Sequence, residues 1–104
     1  MNDKLLSLLG LCRKAGKITI GYDAVVASMA AGEAVIILCA EDISKNTYKK
    51  VLNNSQIYAI PCFRIKRNKD IVSNALGRLC TVVSINDAGF AGKFKEYIQI
   101  ELEE

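Results

Sequence analysis

Two adjacent carboxylates, Glu41 and Asp42, are the side chains in this sequence best suited to acid–base chemistry or metal binding. They directly follow the apolar run AVIILCA (34–40), a pattern typical of a buried strand. Ligands of open α/β sheets bind beyond the carboxyl ends of strands, so the position suits a site. Acids are also common at helix starts, where they interact favourably with the helix dipole. Because no nucleophile or further ligand accompanies the pair, the helix-start interpretation is favoured, and the site stays open as the alternative.

Histidine and cysteine add little to this chemistry. The sequence has no histidine, which removes the commonest general base and every Ser–His or Cys–His pair. The cysteines stand in apolar patterns without a C-x-x-C pair, at Cys12, Cys39, Cys62 and Cys80. This spacing favours free buried thiols over a disulfide framework or a zinc site. We therefore expect a protein that is not an enzyme and has no cofactor or metal.

Positive charge is concentrated in the body of the chain. The net charge is +3, and the terminal ELEE holds three of the eleven acidic residues. From Arg13 to Arg78, eleven Lys and Arg stand against five Asp and Glu. A basic body favours a polyanionic partner, most often nucleic acid. Lysines that only solvate helix faces would give the same balance, so charge alone does not decide.

Three segments combine basic residues with glycine or small polar residues, a combination suited to RNA. They cover 13–23, 44–47 and 76–82. Basic side chains neutralise phosphate, glycine allows a close backbone approach, and an apolar side chain can pack on an unstacked base. The candidate RNA-binding residues are Arg13, Lys14, Lys17, Gly21, Tyr22, Asp23, Lys45, Gly77, Arg78 and Leu79. The alternative for each segment is an ordinary turn or helix end.

Helical and strand patterns alternate along the chain and place these segments at junctions. Residues with the character of helix N-caps are Asp3, Ser44, Asn68 and Asp87. Strand patterns cover 17–20, 34–40, 60–65 and 81–85. The alternation predicts one α/β domain over residues 1–104, a three-layer α/β/α sandwich with a small mixed sheet of about four strands. All three segments are then expected along one edge of the sheet.

Over nearly its whole length the chain resembles a known family. The most specific stretches are LLGLCRKAGKITIG (8–21), IILCAEDIS (36–44) and LGRLC (76–80). They are similar to the ribosomal protein family that includes the archaeal large-subunit proteins seven-Ae and thirty-e, in particular its bacterial YlxQ-like subgroup. The resemblance implies an α/β/α sandwich that binds RNA, typically a sharply bent kink-turn.

The resemblance also implies roles for individual residues. Family members insert the start of the second helix into a widened RNA groove, where a glycine and the polar residues after it meet guanine–adenine pairs. Gly21 matches that glycine, and residues 22–24 match the base-reading positions. Lys14 and Lys17 match basic residues ahead of the helix, and residues 77–81 match a loop that covers a flipped-out base.

We therefore expect the partner to be structured RNA, with ribosomal RNA among the candidates, and the location to be the cytoplasm, with no DNA and no membrane. The longest apolar run is far shorter than the roughly 20 residues of a membrane helix. One alternative is a protein–protein interaction module on the same fold. Ala24 and Ala27 permit it, since strong kink-turn binders carry polar side chains at these positions. The other alternative is a small-ligand or metal-binding protein that uses Glu41 and Asp42.

Overall fold

The computed structural model describes residues 3–104, which form five helices and four strands. The helices are α1 (Lys4–Lys14), α2 (Tyr22–Ala30), α3 (Lys45–Ile57), α4 (Lys69–Leu76) and α5 (Ala88–Glu103). The strands are β1 (Ile18–Ile20), β2 (Ile36–Cys39), β3 (Cys62–Arg64) and β4 (Val82–Ile85). The alternation expected from the sequence is confirmed along the described chain.

Four helices begin at the side-chain caps that the sequence predicts. The oxygens of these caps accept backbone N–H groups of the first turn, at Asp3, Ser44, Asn68 and Asp87. Each cap satisfies a donor that has no partner within its helix. The start of α2 differs, because its N-cap is Gly21, which has no side chain to offer.

The sheet is mixed, with strand order β1-β4-β2-β3. β4 is antiparallel to both β1 and β2, whereas β2 and β3 are parallel. As a result β1, β2 and β3 all end at the edge where β4 begins; we call this the upper edge. The lower edge is the one where β4 ends and the other strands begin.

Helices cover both faces of the sheet, as the three-layer prediction requires. Along β2, Ile36 and Leu38 face one hydrophobic cluster, and Ile37 and Cys39 face the other. The first cluster includes residues of α1, α4 and α5, and the second includes residues of α2 and α3. All four β2 residues are buried, which explains the continuous apolar run in the sequence.

The strands are shorter than their sequence patterns suggest, and some flanking residues bond outside the sheet. The Ala34 N–H, for example, donates to the carbonyl of Ser28 in α2. The Ile60 N–H donates to the Ser55 carbonyl at the end of α3. Among residues 3–104, no helix combines the length and the apolar character that a membrane span requires.

Candidate nucleic-acid interface

The upper edge brings together segments that are distant in sequence. The Gly21 N–H donates to the Val82 carbonyl at 3.0 Å, which joins the start of α2 to the start of β4. The Ala40 N–H donates to the Thr81 carbonyl at 2.9 Å, which joins the loop after β2 to the loop before β4. The starts of α2 and α3 and the end of the 77–81 loop therefore share this edge.

Gly21 has a backbone conformation that requires glycine. Its φ of 97° and ψ of 150° lie in a region that side chains essentially exclude. No side chain caps the helix here, so the first N–H groups of α2 are not satisfied in that way. These donors and the positive end of the helix dipole can face an anion.

A polar network near the lower edge fixes α2 against the sheet. The Asn86 amide donates to the Thr19 hydroxyl at 2.7 Å, and its carbonyl oxygen accepts from Ser28 at 3.1 Å and Ser84 at 2.9 Å. Ser28 is a buried residue of α2, whereas Thr19 and Ser84 lie on neighbouring strands. Sequence reasoning missed this network, because its members are isolated polar residues that only the pairing of β1 with β4 brings together.

The first turn of α2 presents small and acidic side chains to solvent. Asp23, Ala24 and Ala27 are exposed. Tyr22 is different, because it is half-buried against the second cluster and its hydroxyl accepts a hydrogen bond from the Asn54 amide of α3 at 3.4 Å. The structure thus places the Tyr22 ring between α2 and α3, and leaves the other three positions available for contact.

The loop 77–81 presents an exposed apolar side chain. Leu79 is 76% exposed, the highest value among the exposed large hydrophobic residues of the described chain, and Arg78 beside it is also exposed. Gly77 ends α4 in the left-handed conformation, with a φ of 67°. The loop is anchored at Cys80, whose N–H donates to the Ser73 hydroxyl at 3.0 Å.

Arg13 has a structural contact that the sequence did not predict. Its guanidinium donates to the Leu76 carbonyl, the last residue of α4. A cation at this position satisfies a free carbonyl and complements the negative end of the helix dipole. Arg13 therefore supports the start of the 77–81 loop.

The remaining basic candidates do not all lie on the upper edge, so the expectation of one shared edge is corrected. Lys45 is exposed at the first position of α3, on the upper edge. Lys17 directly precedes β1, and its carbonyl accepts from Asn86 N–H on the lower edge. Three residues of extended chain lie between it and Gly21, which puts the two Cα atoms roughly 13 Å apart. Lys14 is exposed in the last turn of α1.

Asp42 has a structural role that explains its position. Its carboxylate accepts the Lys69 backbone N–H at 2.7 Å and so supports the start of α4. Glu41 is exposed, and its own N–H donates to the Arg67 carbonyl at 2.8 Å. No group of three or more His, Cys, Asp and Glu side chains converges as a metal site within residues 3–104. The helix-start interpretation accounts for Asp42, although the helix that it supports is α4 and not the next one along the chain, α3.

A second missed contact joins both ends of the described chain to the loop before α4. Arg67 pairs with Asp3 (Nε to Oδ2, 2.6 Å) and with Glu101 (Nη2 to Oε2, 2.6 Å). The hydrogen bonds from Arg67 lower the pKa of the Asp3 carboxyl. The pairing of Asp3 with Arg67 could not be predicted from sequence, because 64 positions separate the two residues.

Comparison with known proteins agrees with this fold. The Ribosomal protein L7Ae/L30e/S12e/Gadd45 family matches residues 3–95. The RNA-binding protein YlxQ of Enterococcus faecium is 38% identical over 96 residues, 92% of each chain. Its namesake from Bacillus subtilis (strain 168) is 33% identical over 87 residues, 83% of this chain and 86% of that protein. These relatives are named as RNA-binding proteins and not as enzymes.

Solved structures show the same architecture. A protein of unknown function from Bacillus halodurans C superposes with a TM-score of 0.87 at 30% identity, over 94% of this chain and 99% of that one. The 15.5kD RNA binding protein of Giardia lamblia superposes with a TM-score of 0.76 at 15% identity, over 96% and 92% of the two chains, and shows the fold alone. The chain therefore belongs to the Ribosomal protein L7Ae/L30e/S12e/Gadd45 family.

Proposed function

We propose that this chain binds structured RNA through the start of α2 and the 77–81 loop. The observation that carries the proposal is that α2, alone among the five helices, has no side-chain cap, and that it begins at the upper edge. The family and the names of the relatives support the same class of partner. The predicted RNA-binding role of the individual residues remains part of this proposal.

The proposed contacts divide into phosphate contacts and base contacts. Lys45 and Arg78 are exposed and free to neutralise phosphate, and the uncapped N–H groups after Gly21 can donate to a phosphate oxygen. Leu79 can cover an unstacked base, since its side chain is mostly in solvent in the free protein. Lys14 and Lys17 would contact phosphates further along the backbone.

The proposal extends to two more specific properties, recognition of kink-turn RNA and association with the ribosome. At the reading positions, the Asp23 carboxylate can accept hydrogen bonds from base amino and imino groups, but it also repels phosphate. Ala24 and Ala27 offer no hydrogen bonds. We therefore expect a preference for bent RNA that rests on shape and backbone contacts more than on base reading.

A second candidate function is a protein–protein interaction module that has lost base reading. The exposed alanines of α2 favour it, because a small apolar helix face can pack closely against another protein. It predicts co-purification of a protein partner without RNA.

Titration of RNA tests the proposal. The purified protein would be added to a kink-turn hairpin and to a straight duplex of equal length, in a gel-shift series at several salt concentrations. The proposal expects micromolar or tighter, salt-sensitive binding, with the bent RNA preferred. Absence of salt-sensitive binding to both RNAs at micromolar protein would contradict it, and equal affinity for the two would reject only kink-turn preference.

A further inference from the structure

Two cysteine side chains meet on the face of the sheet that α2 and α3 cover. Cys39 of β2 and Cys62 of β3 lie on adjacent parallel strands, and their Sγ atoms are 3.7 Å apart. Cys39 is fully buried, whereas Cys62 begins the edge strand and is partly exposed. Either thiol can donate to the other, and because burial disfavours the charged form of Cys39, its S–H is the group suited to donate to the Cys62 sulfur.

A buried hydroxyl without a partner lies beside the Cys62 sulfur. Ser55 of α3 is only 4% exposed, and its Oγ makes no hydrogen bond to the described residues. It lines, together with Cys62, Leu52 and Pro61, an open cavity of about 330 Å³. A buried hydroxyl without a partner is costly, so a hydrogen bond to a thiolate or to an incoming polar group would be favourable here.

The electrostatic surroundings separate Cys62 from the other three cysteines. The contact with Cys39 lowers the pKa of the Cys62 thiol, against the opposite effect of burial. The pKa of Cys39 is raised by the same contact with Cys62 and by burial. Burial raises the pKa of Cys12 to about 11 and also raises that of Cys80. A thiol is nucleophilic as the thiolate, so these surroundings favour reaction at one position.

We propose that Cys62 is a modification site that forms a mixed disulfide with a small-molecule disulfide, which binds in the cavity beside Ser55. The Cys62 thiolate attacks one sulfur of the incoming disulfide, and a bond from Cys62 Sγ to that sulfur forms as the original S–S bond breaks. The departing thiolate takes a proton from water. Cys62 is thereby oxidised and half of the incoming disulfide is reduced.

The proposed modification site and the RNA-binding proposal rest on different residues. Cys62 lies at the start of β3, on the lower edge, whereas the proposed RNA contacts depend on the upper edge. The two proposals are therefore tested by different experiments, and failure of one does not decide the other.

The experiment uses 5,5′-dithiobis(2-nitrobenzoate), which releases one coloured thiolate for each cysteine that it modifies. In the folded protein we expect one equivalent to react at least about tenfold faster than the remaining three. Cys62→Ser should abolish the fast phase, whereas Cys80→Ala should keep it. Should a variant fail to fold, peptide mass mapping of the briefly treated wild-type protein must place the first adduct on Cys62.

The pH dependence tests the hydrogen-bonded pair. The rate of the fast phase should rise with pH, and the midpoint of this rise should lie at lower pH than that for the thiols of the protein unfolded in guanidinium. Cys39→Ala removes a donor and should move that midpoint upward, with Cys12→Ala as the matched control that leaves it unchanged. Equal rates for all four thiols, a fast phase in Cys62→Ser, or no effect of Cys39→Ala would each overturn the proposal.

Discussion

The Gly21 N–H donates to the Val82 carbonyl at 3.0 Å, so the residue that opens α2 is also bonded to the first residue of β4. This bond places an uncapped helix start directly beside the loop that carries Leu79. It also requires the unusual backbone conformation of Gly21, which turns the chain from β1 into the helix. The proposed RNA surface therefore depends on one glycine.

Gly21→Ala should destabilise the fold by about 1–3 kcal/mol, because a side chain is strained at this φ and ψ. It should also weaken RNA binding at a temperature where the variant stays folded, since the start of α2 must shift. Gly32→Ala is the matched control, because Gly32 also has a positive φ, 75°, but follows the far end of α2. Urea unfolding and RNA titration of both variants check this. Equal loss of RNA affinity in the two would show that general destabilisation, not the α2 start, is responsible.

Arg13→Gln should lower the free energy of unfolding by about 0.5–1 kcal/mol, because the Leu76 carbonyl loses a cationic donor at the end of α4. Lys14→Gln, the neighbouring substitution with the same change of charge, should change stability less, since the contact with the α4 carbonyl belongs to Arg13. Chemical denaturation at neutral pH measures both values. Two equally stable variants would contradict the capping role of Arg13.

Asp42→Ala should cost about 0.5–2 kcal/mol of stability through loss of the hydrogen bond from Lys69 N–H. Glu41→Ala should cost much less, because the exposed Glu41 side chain supports no helix start. Thermal melts with and without Mg²⁺ separate this role from metal binding. An Mg²⁺-dependent rise in the melting temperature that Asp42→Ala abolishes would restore the metal interpretation.

The ion pair of Asp3 with Arg67 predicts a loss of stability in acid. The pKa of Asp3 is lowered in the folded state by Arg67, so its contribution is complete above the unfolded pKa of about 3.9 and is lost as the pH falls through the folded value. Asp3→Asn keeps a good helix cap but removes the charge. It should be less stable than the wild type by about 1 kcal/mol at pH 7, with the difference shrinking as the pH falls below the unfolded pKa of Asp3 and through the lower folded pKa. Urea unfolding across an acid pH series checks it, with Asp23→Asn as a solvent-exposed control; a difference that does not shrink with falling pH would contradict the ion pair.

The local elements were predictable from sequence because their signals are local. Asp3, Ser44, Asn68 and Asp87 each cap the helix that directly follows, so a short window contains the evidence. The continuous apolar run at 34–40 likewise indicates a buried strand without information from distant residues. Strand ends were overestimated because an apolar residue beside a strand, such as Ala34, bonds to the preceding helix instead of the sheet.

The candidate site was predictable only in part, because its geometry depends on strand pairing. Lys17 and Gly21 are close in sequence, yet β1 carries them to opposite edges of the sheet. The side-chain roles of Arg13 and Asp42 depend on contacts with α4, and each partner is a backbone atom. Backbone partners leave no residue-type signal, so no reading of the sequence could have assigned them.

Two charge-matched double variants test the RNA surface most directly. Lys45→Gln with Arg78→Gln removes two exposed cations from the upper edge and the 77–81 loop, and Lys93→Gln with Lys95→Gln removes two exposed cations from α5. Affinity for one kink-turn RNA would be measured across a salt series. We predict that the first pair weakens binding at least about tenfold and lowers the salt slope by about two, while the second leaves both nearly unchanged. Equal losses for the two pairs, or a loss confined to the α5 pair, would contradict the proposed RNA surface.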